Sequence, residues 1–457
     1  MKTAIILTGG RGSKLWPYNL TRNKAALPIA NVPILTRALQ ELREAGIENF
    51  IVVADYKEDQ VRALAAEEAD VRFEKIILPG TAPVVEKIWS EISEEDLLVV
   101  YGDVLFSSED VKRLLQEFKS EKMKAAALVQ PLGKETPRDW WCADVSGERL
   151  TAILGHPRDN VSHRLTGIYA LRKEVLPAIR KTPAIPHAIQ IGMMPQEEAE
   201  LAESLAIFLQ SGGEVLSVET KGIFVDVDKP WHILEANEAV IRTMAEEIRA
   251  DAIHPSARVD NSAIIDGHVV LGPHSVVGPR VIVHGDLWAG ENAVITDGAI
   301  LDGHVVVGSD TTIQRYCQVG PFTTVGNRCF VGHGAEFEGV MFDNSYAYHY
   351  GEYWGVLGAY SDLGAATVCG NLRFDDAQTV HRVKGRREIP RTGANAAYLG
   401  DYCRTGVNAI LMPGVKVGPY SLIGSGTIVQ GDVPERTSIY AEQTQIKRDW
   451  GPEKYGW

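Results

Sequence analysis

From residue 253 onward, an apolar residue recurs at every sixth position of the chain. The residues that keep this register are Ile253, Val259, Ile265, Leu271, Val277, Val283, Ala289, Ile295, Leu301, Val307, Ile313, Val319, Val325, Val331 and Phe337. Glycine, asparagine, aspartate and proline crowd the positions between them. A strict period of six with one inward apolar side chain per repeat is the pattern of a parallel β-helix, in which each short strand buries one side chain and then turns. The carboxyl-terminal half is therefore predicted to be a solenoid.

Near-duplicate segments predict the length of one coil of this solenoid. DGHVVLG at 266–272 and DGHVVVG at 302–308 lie thirty-six residues apart, which is two coils if three hexads make a coil. The register is broken between residues 338 and 355 and between residues 371 and 397, and we interpret both breaks as insertions. We expect function to concentrate at such breaks, because the regular coils supply only scaffold.

Up to about residue 245, short apolar runs instead alternate with helix-like segments. The runs at 51–53 and 97–100 are examples, and the amphipathic stretch 35–45 precedes the first of them. Strands separated by helices favour a mainly parallel sheet with helices on both faces. Ligands of such sheets bind beyond the carboxyl ends of the strands. The glycine-rich stretch at 9–12 and the pair Gly102-Asp103 both follow predicted strands.

Composition excludes several classes of function. A formal net charge of -14 over 457 residues, without a long basic run, predicts no nucleic-acid partner. No apolar stretch approaches the roughly 20 residues needed to span a bilayer, so no membrane partner is expected. The five cysteines are scattered and form no CxxC pair, which favours a reducing cytoplasm over a disulfide framework or a zinc site.

The stretch GGRGSKLWPYNLTRNKAALPIANVPIL, beginning at Gly9, resembles the opening signature of the sugar-1-phosphate nucleotidylyltransferases. Further matches follow in order along this half of the chain: Gly80-Thr81-Ala82, Gly102-Asp103, Gly167-Ile168-Tyr169 and FVDVDKPWHILEANE from Phe224. The resemblance implies a Rossmann-like α/β domain that transfers a nucleotidyl group from a nucleoside triphosphate to a sugar 1-phosphate and releases pyrophosphate.

The same resemblance assigns roles to individual residues. Backbone groups at glycines would contact the nucleotide, two lysines would act on the phosphates, and two carboxylates would hold a Mg²⁺ ion that bridges the phosphates. The nucleotide-binding candidates are Gly9, Gly10, Gly12, Gly80 and Thr81; the lysines are Lys14 and Lys24; the carboxylates are Asp103 and Asp226; Gly167 would contact the sugar.

Several residues depart from the family pattern around this expected pocket. Lys14 stands where the family has an arginine that clamps the triphosphate, which removes a planar bidentate fork. Asn23 replaces a proline, Val32 replaces a second lysine, and Leu165 replaces an asparagine. Gly155-His156-Pro157 stands in place of a sugar-contacting EKP element. Either the substrate differs from the usual hexose phosphates, or this half has become a pseudo-enzyme that binds a nucleotide or sugar nucleotide and regulates a partner; an enzyme with one active half is a third possibility.

The segment GAATVCGNLRFDDAQTVHRVKGRREIPRTGANAAYLGDYCRTGVNAILMPGVKVG, beginning at Gly364, resembles the acetyltransferase half of archaeal-type bifunctional amino-sugar-1-phosphate acetyltransferase/nucleotidylyltransferases. The resemblance implies a left-handed β-helix, a homotrimer or a multiple of it, and acetyl-CoA bound between neighbouring β-helices. Asn371 would bind the acceptor sugar. His349 is the nearest candidate for the general base, with a structural histidine as the alternative. The basic loop 384–391 would suit phosphates of coenzyme A or of a sugar, or would be solvated.

These observations predict four segments. They are a nucleotidylyltransferase-like domain at 1–230, a linker helix at 231–250, an acetyltransferase-like left-handed β-helix at 251–437 and a tail at 438–457. The expected partners are small-molecule substrates: a nucleoside triphosphate, a sugar 1-phosphate and acetyl-CoA.

Overall fold

The structure is a computed structural model that describes residues 1–158, 161–186 and 197–455. The amino-terminal half contains a central sheet whose first four strands in spatial order pair in parallel. The remaining strands pair antiparallel, except that Ala125–Pro131 and Val215–Glu219 pair in parallel. In spatial order its strands are Val71–Lys75, Asn49–Ala54, Thr3–Leu7, Asp96–Tyr101, His163–Arg172, Ala125–Pro131, Val215–Glu219, Arg149–Gly155 and Trp141–Ser146.

Helices cover both faces of this sheet, because successive strand residues point to opposite faces. Ile5 packs with Val85 on one face, and its neighbour Ile6 packs with Leu39 on the other. The helices are Ile34–Glu44, Glu58–Ala66, Thr81–Glu91, Ser108–Ser120, Leu176–Arg180, Leu201–Gln210 and Pro230–Glu247, with Pro452–Tyr455 near the carboxyl end. Short strand pairs flank the sheet: Pro28–Ile29 with Val32–Pro33, Val104–Phe106 with Phe224–Asp226, and Ile185–Pro186 with Glu197–Glu198. The predicted α/β class is confirmed.

The carboxyl-terminal half is a parallel β-helix with three faces. Leu271 pairs with Ala289, and Ala289 pairs with Val307, so regular coils repeat every eighteen residues. The predicted coil of three hexads is therefore correct. Hexad side chains such as Val277 and Ile313 form one continuous buried core. The first two hexad residues, Ile253 and Val259, are exposed, because they belong to the terminal coil and nothing stacks below them.

The strands of the three faces stack in register. The first face contains Ala252–Ile253, Val269–Leu271, Leu287–Ala289, Val305–Val307, Thr323–Val325, Ala397–Leu399 and Lys416–Val417. The second contains Ile264–Ile265, Ile282–Val283, Ile300–Leu301, Gln318–Val319, Val368–Cys369, Ile410–Leu411 and Ile428–Val429. The long strands Ala335–Met341 and Gly351–Leu357 run through both of these faces. The third contains Arg258–Val259, Val276–Val277, Val294–Ile295, Thr312–Gln314, Phe330–Gly332, Tyr346–Ala347, Arg404–Thr405, Leu422–Ile423 and Ser438–Ile439.

The two breaks in the hexad pattern have different origins. Val325 pairs with Met341, and Met341 pairs with Leu357, so these two coils contain sixteen residues instead of eighteen. The interpretation of the first break as an insertion is therefore wrong: each coil is two residues shorter. The second break is an insertion, because forty-two residues separate Cys369 from its partner Leu411.

This insertion carries an antiparallel pair of strands that we call the docking hairpin, His381–Val383 with Arg386–Glu388. Its turn is built from Lys384 and Gly385, which both have positive φ angles of 49° and 80°. Two such residues in succession are the requirement of the tight turn that best fits the twist of a hairpin. The segment predicted as a basic loop is therefore a folded element.

The first face of the β-helix packs against the amino-terminal half, with Pro230–Glu247, here called the linker helix, between them. Val306, Val340 and Tyr398 share one core with Leu27 and Trp231. Polar contacts fix the alignment: the Tyr18 hydroxyl donates to the carbonyl oxygen of Val356 at 2.7 Å, and Arg22 pairs with Asp401 at 3.0 Å. The two halves therefore form one packed unit.

Candidate active site

The glycine-rich stretch follows the parallel strand Thr3–Leu7 and folds against Lys24. Gly12 has a φ of 57°, and a Cβ atom there would lie 2.8 Å from the side chain of Lys24. Gly12 is thus required both by its left-handed backbone and by the path of that lysine. A Cβ atom at Gly10 would meet no atom within 4 Å, so the backbone at Gly10 is open to a ligand. Gly9 packs beside Asp55 at an ordinary van der Waals distance of 3.6 Å.

Lys24 lies at the centre of a buried cluster of charges. Its Nζ atom donates to Asp103 Oδ2 at 3.0 Å and to Asp228 Oδ1 at 2.9 Å. The Nζ atom of Lys14 donates to the other oxygen of Asp228, also at 2.9 Å. The structure therefore brings the two predicted lysines together through one carboxylate that the sequence analysis did not select.

The charges in this cluster determine its protonation. Burial works against the charge on Lys24, but Asp228 and Asp103 outweigh it and raise the pKa of Lys24. Asp228 also raises the pKa of Lys14. Burial opposes ionisation of Asp228, yet Lys14 and Lys24 hold the pKa of Asp228 well below its usual range. Both lysines are therefore cationic and Asp228 is anionic at neutral pH.

Asn23 explains one departure from the family pattern. Its side-chain oxygen accepts a hydrogen bond from the Ala25 N–H at 2.9 Å and so caps the short turn that carries Lys24. Its amide nitrogen donates to the carbonyl oxygens of Thr8 at 2.9 Å and Tyr56 at 2.7 Å. This buried side chain ties the Lys24 turn to the end of the first strand, a role that a proline has no side-chain groups to fill.

Asp103 and Asp226 lie on neighbouring strand ends. Asp226 pairs with Val104, the residue after Asp103, and the Val227 N–H donates to the carbonyl oxygen of Asp103 at 2.9 Å. Burial, followed by the nearby carboxylates of Asp103 and Asp228, raises the pKa of Asp226 to about 7. Crowded carboxylates of this kind fit a divalent cation, which would relieve their repulsion.

Two carboxylates and the phosphate oxygens of a substrate form a donor set that Mg²⁺ accepts. Within the described residues, no group of three or more histidine, cysteine, aspartate or glutamate side chains is arranged to hold a metal ion by itself. Asp103 and Asp226 would therefore supply only part of the ligands of a metal ion, and oxygens of the substrate would supply others.

The remaining candidates of this half are engaged in protein contacts. A Cβ atom at Gly80 would lie 2.3 Å from the backbone of Ala199, and the Thr81 hydroxyl donates to Glu200 at 2.8 Å. Gly167 has a φ of 79°, and a Cβ atom there would lie 2.7 Å from the Tyr101 ring. These glycines have packing reasons of their own, and their roles in nucleotide and sugar binding stay predictions.

Sequence reasoning missed Asp228, although a signal was present. Residues two apart in an extended segment point to the same side. Asp226 ends the strand Phe224–Asp226, so Asp228 projects toward the same lysines. The alternation in DVDK was therefore enough to select both carboxylates.

The side of the site where a sugar is expected is formed by aromatic and cationic groups. Arg164 is buried, lies 4.1 Å above the Trp140 ring and pairs with Glu135 at 3.2 Å. The Trp140 ring also stacks on His232, with centroids 6.1 Å apart, and burial together with Lys229 lowers the pKa of His232 to about 3. His232 is thus neutral, and its Nδ1 accepts from the Asp228 N–H at 3.2 Å.

Departures from the family pattern lie next to this aromatic group. Leu165, in place of an asparagine, is buried in the apolar core of the sheet. The N–H of His156 donates to the carbonyl oxygen of Trp140 at 3.0 Å, and a Cβ atom at Gly155 would lie 3.1 Å from the Trp141 ring. The segment 137–141 therefore forms a wall, packed against Gly155 and His156, where the family has sugar contacts.

A second candidate site is a groove on the β-helix. It encloses a cavity of about 380 Å³ whose lining includes Glu336, Glu338, Glu352, Trp354 and Asn371. Asn371 donates to Glu352 at 3.1 Å. Burial, and then the neighbouring Glu336, raise the pKa of Glu352. Among the described residues, no lysine or arginine lines this groove.

His349 lies outside the lining of this groove. It is exposed, two residues before the strand Gly351–Leu357 that carries Glu352. Its ring contacts Tyr348 edge to face at 4.7 Å between centroids, and His333 lies 5.9 Å away. The structure therefore places His349 in an aromatic surface patch, whereas Asn371 lines the groove.

Comparisons with known proteins agree with this architecture. Residues 3–243 match the nucleotidyl transferase family model, and residues 304–339 match the bacterial transferase hexapeptide model. Together with the strand pairing, these matches confirm the predicted order of a Rossmann-like domain and a left-handed parallel β-helix. Separately, no helix within the described ranges combines the length and the apolar character needed to cross a membrane.

Curated relatives resemble the chain over nearly its full length. The bifunctional protein GlmU of Methanococcus maripaludis is 26% identical over 97% of this chain and 98% of its own. The GlmU protein of Methanocaldococcus jannaschii is 26% identical over 97% of this chain and 99% of its own. A bifunctional sugar-1-phosphate nucleotidylyltransferase/acetyltransferase of Sulfurisphaera tokodaii is 26% identical over 94% and 98%.

Proposed function

The chain belongs to the nucleotidyl transferase family, and from this premise we propose that its amino-terminal half transfers a nucleotidyl group to a sugar 1-phosphate. The observation that carries the proposal is the convergence of Lys14 and Lys24 on one carboxylate beside the open backbone of Gly10. Curated relatives with this activity in their names support the choice of substrate class.

In the proposed reaction, an oxygen of the sugar phosphate attacks the α-phosphorus of the triphosphate. The bond from that phosphorus to the oxygen of the β-phosphate breaks, and pyrophosphate leaves. Catalysis of this kind is mostly positioning and neutralisation of phosphate charge. Lys14 and Lys24 supply two cations for it, and on binding they exchange contacts with Asp228 for contacts with phosphate oxygens.

Asp103 and Asp226 would hold Mg²⁺ in this proposal. When bound, such an ion neutralises phosphate charge and fixes the geometry of the phosphates. A divalent metal fits these residues, and Mg²⁺ in particular is a prediction.

The test is pyrophosphate release from a panel of nucleoside triphosphates and sugar 1-phosphates in the presence of Mg²⁺. The proposal expects release with at least one pair and its loss in Lys24→Met, whereas Lys181→Met, an exposed lysine on the same domain, retains it. Nucleotide binding without release across the whole panel would instead support the pseudo-enzyme that the departures at Val32 and Leu165 suggested.

A second candidate function, acetyl transfer from acetyl-CoA to an amino sugar 1-phosphate, is favoured by the groove at Asn371. Its carboxylates suit a protonated amine, and the relatives named as acetyltransferases support the assignment. Release of coenzyme A thiol with amino-sugar phosphates tests it. We also propose a homotrimer or a multiple of it, because the hexapeptide repeats resemble those of transferases that form trimers. A cytoplasmic location is proposed because the five cysteines are free thiols.

A further inference from the structure

The docking hairpin of the β-helix contacts the segments around the nucleotidyl transfer site through ion pairs. Glu388 of the hairpin pairs with Lys229 at 2.6 Å, and Arg386 pairs with Asp139 at 2.9 Å. Lys229 also lies 3.5 Å from Asp139, so four side chains of alternating sign form one chain of ion pairs. The exposed fraction of the Lys229 side chain is only 5%.

Lys229 directly follows Asp228, and the two side chains contact different parts of the molecule. Asp228 contacts Lys14 and Lys24 in the site, whereas Lys229 contacts the hairpin. The segment 226–229 therefore has the charge cluster on one side and the β-helix on the other. A buried cation that loses its partner is costly, and the segment would move to hydrate it.

Asp139 connects the hairpin to the opposite wall of the site. It belongs to the segment 137–141, in which Trp140 stacks on His232 and accepts the His156 N–H. The hairpin thus holds the carboxylate side of the site through Lys229 and the expected sugar side through Asp139. Apolar contacts reinforce it, since His381 packs on Trp231 with ring centroids 5.1 Å apart.

From this geometry we infer that the docking hairpin holds both walls of the nucleotidyl transfer site in place, with Glu388 and Lys229 as positioning residues for its carboxylates. The inference rests on the proposed transfer reaction. It gives the insertion a role in the site of the other half. By holding the segments 226–229 and 137–141, the hairpin sets the width of the space between them, in which a sugar phosphate and a triphosphate must bind together. A misplacement of about 1 Å at such a site is enough to lower kcat by up to about 10²-fold.

The charge pattern makes the inference testable with neutral variants. Glu388→Gln leaves one unbalanced cation, and Lys229→Gln leaves one unbalanced anion. The double variant Lys229→Gln/Glu388→Gln leaves the pair Arg386–Asp139 balanced. We expect each single variant to lose roughly tenfold or more in kcat, and the double variant to recover most of that loss. Arg382→Gln, on the partner strand of the same hairpin but exposed and outside the loop 384–391, is the matched control and keeps wild-type kcat.

Hydrogen exchange of the folded proteins supplies a readout that does not depend on activity. Glu388→Gln is expected to accelerate amide exchange in segments 224–230 and 137–141, and Arg382→Gln is not. If the wild type transfers nucleotides but all four variants match it in kcat and exchange, the inference fails and the proposed function stands. If the wild type transfers nothing, the proposed function fails. Unchanged amide exchange in Glu388→Gln would then also show that the hairpin does not position the segments 224–230 and 137–141.

Discussion

The two candidate sites of this chain differ in how they balance charge. The site in the amino-terminal half gathers Lys14, Lys24 and Asp228 from segments about two hundred residues apart, and each ammonium contacts a carboxylate. The groove on the β-helix takes Glu336 and Glu352 from adjacent coils, where they lie side by side on paired strands. The first site pairs both of its lysines with carboxylates of the same chain. The second presents carboxylates without a lysine or arginine among the described residues of its lining. A ligand of the first must displace internal ion pairs, whereas a ligand of the second must bring positive charge or a second subunit.

The largest effect is expected from Lys24→Met, which tests whether the first site depends on its internal ion pairs. The substitution leaves Asp103, Asp226 and Asp228 without their shared cation, so we expect pyrophosphate release to fall roughly 10³-fold. The free energy of unfolding should fall by about 3 kcal/mol, because the remaining buried carboxylates repel one another. Steady-state kinetics and urea unfolding measure the two effects. Wild-type kinetics in this variant would contradict the assignment of Lys24 to the phosphates.

The seam between the two halves should weaken as the pH falls. Burial, and then the nearby Lys416, lower the pKa of His381 to about 4, against about 6.5 when unfolded. The folded state therefore binds fewer protons than the unfolded state between these values, so stability is fully present above pH 6.5 and is lost as the pH falls toward 4. The loss attributable to His381 is about 3 kcal/mol.

Chemical denaturation at pH 7 and at pH 4.5 measures this loss. His381→Gln is the matched variant, because glutamine retains a hydrogen-bonding group but does not titrate in this range. Its unfolding free energy should depend less on pH than that of the wild type, and equal pH dependence in both proteins would show that His381 is not the group responsible.

His349→Ala tests whether the groove on the β-helix uses a base that lies outside its own lining. If the exposed imidazole reaches the acceptor amine when the groove is complete, acetyl transfer should fall roughly 10²-fold. Pyrophosphate release should stay unchanged, since His349 contacts Tyr348 and His333 on the β-helix and is not one of the contacts of Lys24. His333→Ala is the control, because its ring is 5.9 Å away in the same aromatic patch. Equal rates of thiol release in both variants would leave His349 a structural residue.

The smallest expected effect concerns the departure at Lys14. Its ammonium makes a point contact with Asp228, and Val32 and Leu165 occupy two further positions at which the family has polar groups. Lys14→Arg should therefore change kcat/KM for pyrophosphate release by no more than about threefold. A large gain from this single change would mean that the site was impaired at Lys14 alone.

Periodic features of the sequence predicted the fold well, whereas contacts between distant segments could not be predicted from the sequence. The hexads gave the β-helix and its eighteen-residue coil, because each inward residue depends only on its own coil. The glycine-rich stretch was visible as a turn after a predicted strand, and its lysines were identified through the resemblance to the nucleotidylyltransferase signature. The alternation in DVDK was enough to select Asp228 as a carboxylate of the site, but its bridge between Lys14 and Lys24 depends on segments that meet only in the folded chain. The sixteen-residue coils were misread because a shortened corner and an insertion both interrupt the same period.

The docking hairpin leaves and rejoins the solenoid without disturbing it. Cys369 pairs with Leu411 as if the residues between them formed an ordinary coil, and Leu357 pairs with Leu399 in the same way. Length can thus be gained or lost at this corner while every later coil keeps its neighbours. Chain inserted at this corner emerges against the amino-terminal half, as the contacts of the hairpin with Lys229 and Asp139 show. The corner is therefore a position at which other hairpins can be grafted to add contacts between the halves without changing the pairing of the coils.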